Sequence, residues 1–140
     1  MKRARIFLFF TLALVWSSAA RAADPVDVSM IQLLATPERF HGRVVRVQGF
    51  LKLEWEGDAL YLHRTDFDQA IFRNAVGVTR SSAFVGKELS DGYVLIEGQF
   101  DAKETGHLGA FSGSIKNITR AERTVSRAEI EKIIQPQSTK

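Results

Sequence analysis

The residues in this chain with the chemistry to bind a metal or move a proton are three histidines, His41, His63 and His107, and two short acidic groups. The run His63-Arg64-Thr65-Asp66-Phe67-Asp68 sets one imidazole beside two carboxylates. With His107 it would give a metal-dependent hydrolase its ligands. A metal site needs three or four converging ligands, commonly announced by a paired spacing such as His-x-x-x-His. No such pair occurs, Arg64 places a cation inside the run, and Thr65 or Asp66 serves more simply as a helix cap. Glu54, Glu56 and Asp58 form the second acidic group, but they crowd around Gly57 and read as the solvated tip of a hairpin. No serine sits in a Gly-x-Ser-x-Gly turn, so nucleophilic catalysis has no better footing. The reading favours a protein without catalysis, metal or cofactor, with the hydrolase on His63, Asp66, Asp68 and His107 as the alternative.

A second set of residues would recognise a ligand rather than transform one. Arg46, Phe50 and Lys52 alternate along one face of a predicted strand, and Tyr61 and His63 follow on the next. Phe50 is the informative member because it interrupts an otherwise polar row. Exposed beside arginine and lysine, its ring would stack on a base or a sugar. Covered, it would lie under an amphipathic C-terminal helix, against Ile130 and Ile133, whose apolar stripe must be buried somewhere. Cover is the favoured reading. Trp55 continues the opposite, inward row and is expected in the core or at a barrel rim.

These side chains depend on a framework of short strands. From 45 to 55 the odd positions read Val, Val, Gly, Leu, Leu, Trp while the even ones are mostly polar. That period of two predicts a long strand with one buried face. Gly49 in the inward row permits a sharp bend. A turn at 56–58 and a strand at 59–63 complete a hairpin. A helical turn is expected at 65–74, a short strand at 75–80, a helix or loop at 81–89, and a strand at 92–101 that repeats the first pattern as Val94, Ile96, Gly98 and Phe100. A polar loop at 102–109 and a last strand at 110–119 follow. At the ends, 28–35 reads as a helix burying Val28, Ile31, Leu34 and Ala35, capped by Asp27 or Ser29 and stopped before Pro37. Ser126 and Glu129 make a capping box for a C-terminal amphipathic helix.

The first 22 residues have the pattern of an export signal: Lys2, Arg3 and Arg5, then an apolar run over 6–16, then Ala20-Arg21-Ala22 before a cleavage point between Ala22 and Ala23. Eleven residues, apolar except for Thr11, fall well short of the roughly 20 that span a bilayer as a helix, so no membrane insertion is expected after cleavage. The resulting layout is a signal at 1–22, a leader at 23–27, a barrel domain at 28–120 and a helix and tail at 121–140. The formal charge of +3 belongs to the signal. Four of the 19 Lys and Arg lie there and none of the 16 Asp and Glu, which leaves 15 against 16, or −1. A nearly neutral domain argues against nucleic acid as the partner. With no cysteine, the fold must be held by its core alone.

About five strands, the first bent at a glycine and a helical piece between the third and fourth, give the order of an OB-like barrel: a mainly β fold with a short N-terminal helix and a C-terminal amphipathic helix. At TPERFHGRVVRVQGFLKLEWEGDALYLH and DGYVLIEGQF the chain resembles a group of small exported bacterial proteins of uncharacterised function, OB-fold relatives of the anticodon-binding type. The shared residues are structural, so the resemblance implies a fold and no catalytic residues. OB-folds bind on the face of strands two and three and through the loops joining strands one to two and four to five. Here those loops are 54–58 and 102–109. The expectation is a periplasmic or secreted binding module for a protein or an oligosaccharide, its candidate contacts Arg46, Phe50, Trp55, Tyr61, His63 and His107. A structural partner in an envelope complex is a further alternative.

Overall fold

The computed structural model describes residues 24–134 apart from Glu56 and Gly86. The segment read as an export signal, with Ala22 and Ala23, lies outside them. Strands β2 (Val44–Lys52), β3 (Ala59–Tyr61), β4 (Ala75–Val78), β5 (Gly92–Asp101) and β6 (Ser114–Arg123) form one barrel in the order β2-β3-β4-β6-β5, and β5 pairs back to β2 to close it. All these pairings are antiparallel except β4 with β6. A three-stranded meander followed by that parallel join is the OB-like arrangement expected from the sequence. A two-residue strand β1 (Val26–Asp27), within the stretch expected as a leader, runs parallel to β2.

The inward rows build the core as the alternation requires. Val45, Val47 and Leu51 from β2 meet Val94, Ile96 and Phe100 from β5, with Leu60, Val76 and Ile115 closing the barrel. Gly49 lies where β2 changes partners. On one edge the strand pairs with β1 at Val45 and Arg46, then with β3 from Phe50 to Lys52. A Cβ at Gly49 would stand 2.7 Å from the Tyr61 carbonyl oxygen. Gly98 does the same for β5, where a Cβ would come within 2.8 Å of Ile115 and where the register to β6 slips.

Several boundaries differ from the sequence reading. Helix α1 is Met30–Ala35, because Ser29 caps it and Gln32 returns the bond to Ser29 N–H at 3.0 Å. Val28 stays extended and donates to the Arg46 carbonyl at 3.0 Å. Starting there turns Met30 and Leu33 inward and leaves Ile31 in solvent. Strand β2 stops at Lys52 rather than 55, because its pairing with β3 ends at Lys52 opposite Ala59. The last strand starts four residues late, after Phe111 has packed on the barrel exterior and Gly113 has turned the chain at φ 142°. Helix α2 (Arg64–Asp68) has His63 at its N-cap position, and the Asp66 side chain supplies the capping bond by accepting the His63 N–H at 2.8 Å, with Thr65 taking no part. Helix α3 (Arg127–Ile134) has the predicted Ser126–Glu129 box. It does not pack on the barrel: Ile130 is 43% exposed and Ile133 77%. No helix among the described residues is long and apolar enough to cross a membrane.

Candidate functional site

The outward face of β2, β3 and β4, where an OB barrel would take a ligand, is filled by the chain itself. Phe50, Ala59, Tyr61 and Ala75 form a second apolar cluster there with Phe111, and Phe67 of α2 packs against it. Phe50 is 2% exposed. Its ring centroid lies 6.4 Å from Phe67 and 5.7 Å from Tyr93, and the Arg64 guanidinium sits 5.9 Å over it. Lys52 lies 4.9 Å over the Phe67 ring and pairs with Asp91 at 2.8 Å, which draws the Asp91 carboxyl below its ordinary range. Cover for Phe50 is therefore right, but the lid is α2 and not the C-terminal helix. Tyr61 is equally enclosed, and burial raises its phenol above the usual value. Phe50 and Tyr61 are withdrawn as ligand contacts.

The two carboxylates in the candidate metal set are committed to structure. Asp66 is buried in α2, where one oxygen accepts the His63 N–H at 2.8 Å and the other the Asn74 side-chain amide at 2.7 Å. Asp68 faces Arg64 across a helical turn at 3.7 Å. His107 belongs to a different groove from His63. Among the described residues no group of three His, Cys, Asp or Glu converges as metal ligands would.

Arg46 and His63 do share a groove of about 550 Å³, between α1 and the open edge of β2 at Gln48 and Gly49. Arg46 is committed within a ladder of charges. It pairs with Asp27 at 3.2 Å and Glu97 at 2.7 Å, and Glu97 continues to Arg120 and Glu122. Those bonds, that to Glu97 first, raise the guanidinium above its ordinary value.

The remaining two candidates, Trp55 and His107, lie on the two loops that an OB barrel uses for binding, residues 53–58 and 102–113. These loops flank a groove of about 530 Å³ with Arg80, Thr79 and Phe111 in its lining. Trp55, expected in the core or at a barrel rim, is 97% exposed. Glu54 and Asp58, on either side of it, are bonded together. Asp58 accepts the Glu54 N–H at 2.8 Å, and Arg80 grips both oxygens of Asp58 and the Glu54 carbonyl, at 2.5, 2.8 and 2.9 Å. The hydrogen bonds to Asp58 raise the Arg80 guanidinium above its ordinary value. Leu108 tops the facing loop, 92% exposed and at a positive φ of 56°. Its turn is closed by the Phe111 N–H donating to the Thr105 carbonyl at 3.0 Å. A non-glycine residue in the left-handed region costs energy that its surroundings must supply.

Arg80 and Leu108 escaped the sequence reading. Arg80 meets Asp58 across 22 residues, a separation with no local pattern. Leu108 carried one signal, its place between Gly106 and Gly109 in a polar loop. No family model, curated protein or solved structure matches the chain.

Proposed function

We propose that this chain is an exported, non-catalytic interaction module that meets its partner through the loop end of an OB-like barrel, not through the strand face. Trp55 carries the reading. A tryptophan with its indole almost wholly in water forgoes burial energy on the order of several kcal/mol, since its ring is among the largest apolar surfaces a chain owns. Glu54 and Asp58, which flank it, are joined by four hydrogen bonds from or to Asp58 and Arg80. The carboxylates considered for catalysis, Asp66 and Asp68, are tied into a turn and an ion pair, and His63 and His107 lie on different grooves. The signal-like pattern of residues 1–22 and the resemblance to small exported bacterial proteins support an envelope or extracellular location.

The test is affinity capture from an envelope extract on the immobilised full chain, comparing wild type with Trp55→Ala and Ile31→Ser. The expected result is one retained component that is lost with Trp55→Ala and kept with Ile31→Ser, which alters the 550 Å³ groove. Equal retention by all three would refute the reading.

A further inference from the structure

We propose that the loop end docks a protein whose facing surface is concave, apolar at its centre and basic at its rim; this deepens the interaction-module reading and rests on it. The shape argument comes first. Small ligands are held in concave sites that surround most of their surface. Trp55 does not line the groove beside it but stands at the loop's apex, and Leu108 is almost as exposed on the neighbouring loop. Two projecting apolar side chains offer a sugar or a nucleotide a stacking face but no enclosure. They can be enclosed, if the partner is large enough to supply the pocket. Buried tryptophan anchors of this kind carry much of the energy of protein interfaces, ringed by polar contacts that exclude water.

Rigidity favours the same conclusion. Glu54 and Asp58, already joined through Arg80, lose little freedom on capture, which lowers the cost of association. Leu108 is likewise fixed in advance by its closed turn.

Charge then selects the partner. Residues 53–58 hold three carboxylates and no base. Arg80 pairs with Asp58, while Glu54 meets that pair through its backbone alone, its N–H donating to Asp58 and its carbonyl accepting from Arg80. The facing loop adds Glu104 beside Lys103, so the two loops together keep a negative surplus. Such a rim suits lysine or arginine on the partner and speeds its approach. It repels an anionic lipid surface and a nucleic-acid backbone alike.

The experiment places a photo-activated benzoylphenylalanine at Leu108 of the full chain in cells that export it, with the same group at Ile31 for comparison. Adducts are identified by mass spectrometry. The expected result is a discrete protein adduct from position 108, reduced at least about tenfold by Trp55→Ala and also by the charge-reversing pair Glu54→Lys and Glu104→Lys. Circular dichroism of each variant establishes that the barrel is intact. Adducts with lipid or glycan alone, or a protein adduct indifferent to both variants, would overturn the proposal. An adduct from position 31 and none from 108 would overturn this docking surface while leaving an interaction module. No adduct from either position would overturn both.

Discussion

Replacing Phe50 with alanine deletes a ring that is 2% exposed and packed against Phe67 and Tyr93. Truncating a buried phenylalanine costs roughly 3–5 kcal/mol, through lost transfer energy and the cavity left behind. Phe50 belongs to the outer cluster, roofed by a five-residue helix that can settle into the space. Sites that collapse cost least, which places the expected loss at about 3 kcal/mol. Losing the Arg64 contact over the ring adds on the order of 0.5 kcal/mol. For a domain of this size that corresponds to a fall in Tm of roughly 10–15 °C. Urea unfolding followed by circular dichroism reads it as a lower midpoint with an unchanged slope. Phe50→Leu, which refills most of the volume, should lose about 1 kcal/mol. A loss for Phe50→Ala below about 0.5 kcal/mol, the level of an ordinary surface change, would refute the reasoning. The ring would then be in water and the strand face open to a ligand.

Gly113→Ala should destabilise by about 3 kcal/mol, because a Cβ there collides with the fully buried Phe100 ring in a backbone conformation that disfavours side chains; thermal melts check it. Asp101 is held at a pKa of about 2, first by the Lys116 ammonium at 2.6 Å and then by the Lys103 N–H. Its folded pKa lies below its unfolded one, so its contribution to stability is complete above about pH 4. That contribution fades as pH falls from there through about 2. Asp101→Asn should therefore flatten the acid limb of a stability–pH curve, and an unchanged limb would count against the assignment. Arg80→Gln should leave the melting temperature nearly unchanged, since the pair lies at the surface, yet raise hydrogen exchange at the Glu54 amide by releasing Asp58. Asp66→Ala orphans the His63 N–H and the Asn74 amide and should cost about 2 kcal/mol, measured by the same urea titration.

The framework was legible because its signals are local. Strand β5 can be read to the residue: its alternation is unbroken from Gly92 to Asp101. The Ser126–Glu129 box likewise announces α3, since a cap is a contact between neighbours. Strand β2 shows where such reading stops. Leu53 and Trp55 continue the apolar row, but a strand ends where its partner ends, and the short β3 releases β2 after Lys52. Alternation tells which side a residue would take if pairing continued, not whether it continues. Trp55 therefore lies past the end of the strand and outside the core that its row implies. The same limit hid the lid over Phe50. Its apolar character demanded cover, and two elements had apolar faces to offer. Only the packing of Phe67 decides between α2 and α3. The loop site was half visible: the loops follow from the strand order, while the Arg80–Asp58 clamp spans a distance that no motif records.

The most direct test of the central claim is hydrogen–deuterium exchange on the full chain, free and saturated with the component it retains. Exchange reports which backbone regions a partner covers or stiffens. The account predicts protection confined to 53–58 and 102–109, with β2 and β5 unchanged. Protection centred on Arg46, Gln48 and His63, with the Trp55 loop unaffected, would contradict it.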